Sequence, residues 1–314
     1  MKKFIIRIYD IIIAIIIFFT KWVYINFRKR GPENLPITSK FLKKSGLYPI
    51  IKHYYDPKFE YSNNERNIYL NRNLKSINLN EQNQLKLLEN FNFKNELIEL
   101  DLNKGSKDFN FYFGNGSFEK GDAEIYYQII RYFKPKKIVE VGSGHSTLIA
   151  MEAINKNKDN NIDTTIKCIE PFENKWLENL NLEIIRKPLE QLDLNWNEEL
   201  NENDIFFLDS SHIIRPDGDV VKFYLEILPN LKSGVIIHIH DIFTPKNYLA
   251  DWTFEKVRLW NEQYLLEGIL ANSKRYEILL SLNYLKNNYY NKLKDKCPYL
   301  ENSTDPGSIY LKVN

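Results

Sequence analysis

Cysteine is nearly absent from the sequence, and neither sign of charge is in clear excess. The two cysteines, Cys168 and Cys297, lie far apart and neither belongs to a CxxC pair, which excludes a disulfide framework and a cysteine-based zinc module. The 43 Lys and Arg residues nearly balance the 41 Asp and Glu residues, so the chain lacks the concentrated basic charge of a nucleic-acid-binding protein. We therefore expect a folded protein of the reducing cytoplasm that binds no nucleic acid.

A long apolar run lies at the N-terminus. Residues 4–27 are mostly apolar, but Arg7, Asp10 and Lys21 interrupt the run, and a spanning helix needs roughly 20 apolar residues. No small-residue cleavage site follows, which argues against a signal peptide. A short membrane anchor, a helix lying on a membrane surface and a helix docked on the protein remain open. We favour membrane contact, with the basic residues 28–30 holding the rest of the chain at the inner, cytoplasmic face.

The composition along the chain predicts three parts. Residues 1–30 carry the apolar helix, residues 31–110 form an N-terminal extension, and residues 111–314 form the main domain. Residues 31–39 contain two prolines and are predicted to be a linker. The aromatic segment of residues 48–55 is either a lid over the site or part of the core of the extension, and we favour the second.

The main domain shows a regular alternation of strands and helices. Near-continuous apolar strands that alternate with helices predict an α/β fold with a mostly parallel sheet covered on both faces. In such sheets ligands bind beyond the carboxyl ends of the strands, so the residues after each strand are the candidates for the site. The predicted strands are residues 137–141, 165–169, 182–185, 204–208, 235–239, 276–282 and 308–313.

The first of these strands ends in a glycine turn. Gly142, Ser143 and Gly144 allow a tight turn and the close approach of a ligand to backbone N–H groups. The third glycine of the dinucleotide fingerprint is missing, because position 147 is Thr,. Glu140 precedes the turn by two residues, and its carboxylate can attract the ammonium group of an amino acid, directly or through water. A nicotinamide cofactor has no such group.

An acid also ends the second strand. Glu170 stands where a carboxylate holds the two hydroxyls of a ribose in nucleotide-binding sheets. Alone it would be a solvated loop residue. Together with the glycine turn, it favours a ribose-binding role.

Acids and histidines follow the fourth and fifth strands. Asp209, His212, His240 and Asp241 are expected to meet at one edge of the sheet. They either bind a divalent metal, with oxygen ligands that suit Mg²⁺, or supply a general base. His238 shares a strand face with His240 and is assigned to the core, whereas we favour a catalytic role for His212.

These residues resemble those of a known enzyme family. The glycine turn with Glu140, the acid Glu170 and the run of residues 204–212 resemble class I S-adenosylmethionine (SAM)-dependent methyltransferases. Residues 228–245 resemble a bacterial group of these enzymes associated with glycan or secondary-metabolite assembly. The resemblance extends from about residue 45 to the end. It implies a Rossmann-like fold with a seven-stranded sheet, helices on both faces and an N-terminal helical extension.

The resemblance also implies roles for individual residues. Asp209 and Asp241 match the acids that bind Mg²⁺ in related sugar and catechol O-methyltransferases, and His240 joins them here, where the catechol enzymes have Asp-Asn after strand five. His212, with Asp209, would remove the proton of the acceptor hydroxyl. The implied cofactor contacts are Glu140 at the amino-acid end of SAM, Gly142, Ser143 and Gly144 along it, Asn115 and Asp122 at its methionine part, Glu170 at its ribose and Gln191 at its adenine edge.

The expected function is SAM-dependent O-methylation of a hydroxyl on a sugar, a glycan or a related small molecule. Two alternatives remain open: an NAD(P)-dependent oxidoreductase, and a non-catalytic partner of SAM-binding fold in a membrane-associated glycan assembly complex. Iron-dependent hydroxylation is disfavoured, because its His/Asp sites lie on a β-sandwich, which the strand–helix alternation does not resemble.

Overall fold

The computed structural model describes residues 2–50, 57, 70–103 and 110–314. The chain forms two compact units, Met1–Asn67 and Ile68–Asn314, so the division falls between the boundaries expected from composition. Most of the aromatic segment, residues 51–55, lies outside the described residues.

The first unit is helical. A helix of 29 residues, α1 (Lys2–Arg30), is followed by a 3-10 turn (Pro32–Asn34) and by α2 (Pro36–Lys44). The predicted linker over residues 31–39 is therefore wrong: a proline in the first helical turn loses no hydrogen bond and its fixed φ suits the helix, so Pro36 starts a helix. Among the described residues, no helix is both long and apolar enough to cross a membrane.

The second unit is built on one seven-stranded sheet, as predicted. The strand order is β3-β2-β1-β4-β5-β7-β6. Strands β1 to β5 are parallel to one another, and β7 is inserted between β5 and β6, antiparallel to both. The observed strands are β1 (Lys137–Val141), β2 (Thr165–Ile169), β3 (Glu183–Ile185), β4 (Ile205–Leu208), β5 (Ile236–Ile239), β6 (Tyr276–Ser281) and β7 (Ile309–Val313).

Helices of the second unit connect and flank these strands. Two segments have π-helical hydrogen bonding, Phe223–Ile227 and Asp251–Glu255. The α-helices are α3 (Glu81–Glu89), α4 (Lys94–Glu99), α5 (Asp122–Phe133), α6 (His145–Lys158), α7 (Trp196–Glu199), α8 (Asp219–Lys222), α9 (Glu262–Leu270), α10 (Leu282–Asn288) and α11 (Tyr290–Lys296).

The sheet has a hydrophobic core on each face. Alternate residues of a strand point to opposite faces, so Ile138 and Phe207 pack against α5 and α6, whereas Val139 and Leu208 pack with residues of α8 and α9. Burial on both faces explains why these strands are apolar at nearly every position. The carboxyl ends of β1, β2, β4 and β5 consequently lie at one edge of the sheet.

At the other edge of the sheet, one buried carboxylate connects the amino ends of two of these strands. Asp204, only 3% exposed, accepts hydrogen bonds from the backbone N–H groups of Lys136 (3.0 Å), Lys137 (2.8 Å) and Asn201 (2.9 Å). It therefore fixes the start of β1 beside the start of β4.

We expect Asp204→Ala to lower the free energy of unfolding by about 3 kcal/mol, because it leaves three N–H groups without their charged acceptor. Asp193→Ala, at an exposed position, is the matched control and should change it by less than about 0.5 kcal/mol. Urea denaturation followed by circular dichroism measures both values, and equal stabilities would contradict this role for Asp204.

Candidate functional site

The turn after β1 has no room for a side chain at its first glycine. Gly142 has a φ of +82°, and a Cβ there would lie 1.6 Å from the backbone oxygen of Asp209. At the end of the turn, the Gly144 N–H donates to Thr147 Oγ1 (3.1 Å). Thr147 thus caps the start of α6 and occupies the position of the third glycine of a dinucleotide fingerprint. No pattern in the sequence indicates this capping role.

Glu140 is enclosed by the protein. Its side chain is fully buried, and its two carboxylate oxygens accept hydrogen bonds from Tyr126 Oη (3.0 Å) and Thr147 Oγ1 (2.5 Å). Burial raises the pKa of Glu140 to about 7, although both hydrogen bonds act in the opposite direction. The structure therefore places Glu140 beneath the turn, where it holds Thr147, and the predicted contact with an ammonium group remains a prediction.

Glu170 lies at the edge of a cavity. Its Oε1 accepts hydrogen bonds from the backbone N–H groups of Phe172 (3.0 Å) and Glu173 (2.8 Å). The guanidinium of Arg186 donates to the carbonyl oxygens of Glu170 and Glu173, each at 2.7 Å. No local pattern in the sequence points to Arg186, which follows β3 and fixes the shape of this loop. The Glu170 carboxylate is thus held toward the cavity by its own loop.

The cavity has a volume of about 380 Å³, within the range of small-molecule sites. It runs along the carboxyl ends of β1, β2 and β4. Asp209 belongs to its wall and also to the polar cluster described below. The main lining residues are Gly142, Glu170, Phe172, Leu189, Asp209 and Arg215.

Three predicted cofactor residues have other surroundings. Asn115 is saturated by its own loop: its amide donates to the Tyr112 and Phe118 carbonyls and its Oδ1 accepts the Ser117 and Phe118 N–H groups. Asp122 accepts the N–H groups of Gly307 and Ser308 just before β7. Gln191 is exposed and does not line the cavity, whereas its neighbours Leu189 and Glu190 do. The structure therefore does not bring Asn115 and Gln191 to the cavity.

Histidines and acids meet beside the cavity, as the sequence analysis expected. His212 Nε2 lies 3.1 Å from Asp209 Oδ1 and 3.5 Å from Asp241 Oδ2. His240 Nδ1 lies 3.4 Å from Asp209 Oδ2 and 3.6 Å from Asp241 Oδ1. On the far side of His212, Nδ1 lies 2.7 Å from Glu262 Oε2 at the start of α9. We call Asp209, His212, His240, Asp241 and Glu262 the His/Asp cluster.

Burial and charge act in opposite directions in this cluster. Burial alone would lower the pKa of His212, but Asp209 and Glu262 raise it to about 10. Burial likewise disfavours the charged form of His240, yet Asp241 and Asp209 hold its pKa well above the ordinary value. Burial would raise the pKa of Asp209, but charged His240 and the hydrogen bond from His212 hold it well below its usual range.

Both ring nitrogens of His212 face carboxylate oxygens, Nε2 that of Asp209 and Nδ1 that of Glu262, and these contacts favour the charged form of the ring. The expected role of His212 as a proton acceptor stays a prediction, which these contacts do not favour. Asp209 is the more accessible group, with 26% of its side chain exposed compared with 4% for His212. His238 is a core residue: its Nε2 lies 2.9 Å from Ser308 Oγ, its ring stacks on Tyr310, and burial holds its pKa well below the ordinary value.

Asp209, His240 and Asp241 fit a metal ion. One potential ligand atom from each lies within 4.8 Å of the other two. His240 is 5% exposed, and its Nδ1 has no partner of hydrogen-bond geometry among the described residues, although it faces both carboxylates. The donor set contains an imidazole nitrogen, which suits Mn²⁺, Fe²⁺ or Zn²⁺ more than the all-oxygen shell of Mg²⁺.

The backbone is strained at two members of the cluster. His212 and Asp241 have φ angles of +58° and +60°, a left-handed conformation that is uncommon outside glycine and costs on the order of 1 kcal/mol. Such strain persists where the surroundings impose it, often at functional sites. Ser211 contributes here, because its N–H and Oγ both donate to Asp219 (2.7 and 2.6 Å).

Aromatic side chains form one wall beside the cluster. The ring of Trp260 lies 4.2 Å from that of His212, and Trp252 packs edge-on against Trp260 at 5.2 Å. The guanidinium of Arg258, an exposed residue, lies 4.5 Å from both tryptophan rings. These three residues form the Trp/Arg wall: Trp252 lies within the π-helical segment Asp251–Glu255, and Arg258 and Trp260 follow it.

We expect Gly142→Ala to be strongly destabilising, because its Cβ overlaps the backbone of Asp209 and the φ of +82° disfavours any side chain,. The matched control is Gly268→Ala in α9, where a Cβ meets no atom within 4 Å and helix propensity predicts a gain of about 0.5–1 kcal/mol. Thermal and urea unfolding of both variants measure the effects; a stable Gly142→Ala variant would contradict the close packing of the turn.

Comparison with known proteins identifies the domain. Residues 139–242 match a family model described as a methyltransferase domain. An uncharacterised protein of Archaeoglobus fulgidus is 36% identical over 133 residues, which are 40% of this chain and 59% of that protein. The chain therefore spans less than two thirds of the length of this relative.

Solved structures give more distant similarities. An O-methyltransferase from Bacillus cereus in complex with SAH has 16% identity and a TM-score of 0.41, over 73% of this chain and 91% of that one. A Plasmodium falciparum protein described as a putative protein-L-isoaspartate O-methyltransferase has 17% identity and a TM-score of 0.31, over 55% and 84%. Both are too distant to bear on chemistry. The match to a methyltransferase domain thus covers residues 139–242, which include the glycine turn, Glu170 and Asp209.

Proposed function

We propose that the protein transfers a methyl group from SAM to a hydroxyl oxygen of a small acceptor, with a sugar or glycan hydroxyl as the acceptor class. This proposal rests on the position of Asp209. Asp209 lines the nucleotide-sized cavity and lies within 3.1 Å of His212 in the His/Asp cluster. A donor in the cavity and an acceptor at the cluster would therefore meet at Asp209.

The cavity offers groups that can bind SAM, the proposed methyl donor. The Glu170 carboxylate can accept hydrogen bonds from both ribose hydroxyls, because its loop holds it at the cavity edge. The glycine turn leaves the backbone of β1 open to the ligand at Gly142,. The strand order, with β7 antiparallel, differs from the order 3-2-1-4-5-6 of the dinucleotide fold and argues against the oxidoreductase alternative.

The His/Asp cluster offers groups that can orient and help to deprotonate the acceptor hydroxyl. A hydroxyl oxygen that attacks the methyl group must lose its proton, and an in-line approach supplies much of the rate. Asp209, the most exposed of the acids in contact with His212, would accept the hydrogen bond of the acceptor hydroxyl and so direct its oxygen to the methyl group. Because the pKa of Asp209 is lowered, it is a weak base, and the hydroxyl proton would go to water once a bound metal has lowered the pKa of the hydroxyl. His212 is a positioning residue, because it holds Asp209 while Glu262 fixes its other nitrogen.

A divalent metal would be held by Asp209, His240 and Asp241. When bound, it would lower the pKa of a coordinated hydroxyl. The Trp/Arg wall would complete the acceptor site: aromatic faces stack on sugar rings, and Arg258 would bind an anionic group of the acceptor. The glycan-associated group that the sequence resembles makes sugars the first acceptors to test.

We expect the full chain to bind SAM with micromolar affinity, as measured by calorimetric titration. Glu170→Ala should weaken binding at least about tenfold, because it removes hydrogen bonds between a carboxylate and the ribose. Gln191→Ala should leave the affinity within about twofold, since Gln191 lies outside the cavity. Release of SAH in the presence of a panel of sugars then tests methyl transfer.

Two results would oppose the proposal. A folded protein that binds NAD(H) and not SAM would favour an oxidoreductase. Binding of SAM that Gln191→Ala weakens and Glu170→Ala does not would place the nucleotide elsewhere in the domain.

We expect Mn²⁺ to bind at the cluster, as measured by electron paramagnetic resonance in the absence of SAM. Asp241→Asn should weaken binding at least about tenfold through the loss of one carboxylate ligand. Asp217→Asn, at an exposed loop position, is the charge-matched control and should have no effect. If wild-type protein binds neither Mn²⁺ nor Mg²⁺, the proposed metal site is wrong.

A further inference from the structure

Helix α1 carries the largest exposed apolar surface among the described residues. From Phe4 to Tyr24 nearly all of its large apolar side chains are exposed, with 68% at Phe4, 49% at Ile12, 73% at Phe19 and 61% at Trp22, whereas Phe27 near its end is buried. Exposed apolar patches of this extent mark contacts with a partner or a membrane. The methyltransferase chemistry gives this helix no role.

Between Lys3 and Arg28, the charged residues of α1 lie on one side of the helix, and only Lys2, Lys29 and Arg30 at its two ends lie elsewhere. With about 100° of rotation per residue, spacings of 4, 3, 4, 7 and 7 residues return to nearly the same direction, within an arc of about 60°. The same arc also contains the smallest side chain of the apolar run. The six residues of this polar stripe are Lys3, Arg7, Asp10, Ala14, Lys21 and Arg28.

The remaining arc is apolar over most of the helix. Ile5, Ile12, Phe19 and Val23 lie opposite the polar stripe and are all exposed. Thr20 also lies on the apolar arc, but its hydroxyl donates to the Ile16 carbonyl (2.9 Å), which satisfies its polar group within the helix. The apolar arc is therefore about 240° wide and continuous along the core of α1.

The charges on the stripe favour an anionic surface. Four cations and one acid give it a formal charge of +3, and Lys29 and Arg30 follow in the last turn. The Lys21 ammonium lies 4.5 Å from the ring of Phe18, so its stem lies along apolar surface while its charge remains outside, as at membrane interfaces. Clustered cations are attracted to anionic lipid headgroups.

We propose that α1 lies in the plane of an anionic lipid surface, with the polar stripe toward water and the apolar arc in the acyl region. A helix crossing the bilayer would carry Arg7, Asp10 and Lys21 through the hydrocarbon, where charged side chains are costly. A second copy of the chain would cover an arc of only about 100°, the width of a helix-packing face, and would leave more than half of the apolar arc exposed.

Two matched substitutions test this orientation in the full-length protein. Ile12→Asp puts a charge in the middle of the apolar arc, and Ala14→Asp puts the same charge on the polar stripe two residues away. The assay is flotation with vesicles of phosphatidylcholine and phosphatidylglycerol in equal parts. We expect wild type to float, high salt to weaken binding, and Ile12→Asp to reduce binding by about a hundredfold, because an acid is disfavoured in the acyl region. Ala14→Asp should reduce it by about fivefold at most.

Circular dichroism shows whether each variant keeps its helices, and sedimentation velocity reports self-association. Equal losses of binding in two folded variants would overturn the in-plane orientation and favour a helix that crosses the bilayer. Wild-type protein that self-associates and does not float would overturn the lipid proposal and make a second copy the occupant. Neither result bears on SAM binding, which is measured separately.

Discussion

The close approach of the β1 turn to the end of β4 holds the two halves of the site together. The Asp209 N–H donates to the Val141 carbonyl (2.9 Å), and the absence of a side chain at Gly142 leaves room for the Asp209 carbonyl. Because of this contact, the carboxylate of Asp209 faces the cavity on one side and both histidines of the cluster on the other. If the turn moved away, the cavity would still be lined by Glu170, but it would no longer share Asp209 with the His/Asp cluster.

The His/Asp cluster is held by partners from separate parts of the chain. Glu262 reaches His212 from the start of α9, and the His212 carbonyl in turn accepts the N–H groups of Asn261 and Glu262 (3.0 and 3.2 Å). This reciprocal contact joins the loop after β4 to the segment that carries the Trp/Arg wall. The Trp/Arg wall and the His/Asp cluster therefore cannot be repositioned independently. The left-handed backbone of His212 is a consequence of the same contact network,.

The sheet edge could be predicted from the sequence, whereas the loop geometry could not. Glu170 and Asp209 follow apolar strands directly, so the strand pattern alone places them at the carboxyl edge. Gln191 lies in a 3-10 turn (Leu189–Gln191), and the rotation of that turn, which no periodicity reports, directs it to solvent. The role of His212 depends on Glu262, fifty residues later, and a contact of that separation leaves no local pattern. Pro36 shows the same limit at short range, since a proline ends one segment or starts the next according to what packs around it.

The charges at the site show how a metal would fit it. Four acidic side chains, those of Asp209, Asp241, Glu262 and Asp122, which lies 3.8 Å from His240, surround the two rings of His212 and His240, so acidic groups outnumber basic groups. One divalent cation neutralises that excess in a region where unbalanced charge is costly. Coordination through Nδ1 requires a His240 ring that carries no proton on that nitrogen, so metal uptake would compete with protonation and strengthen as the pH rises.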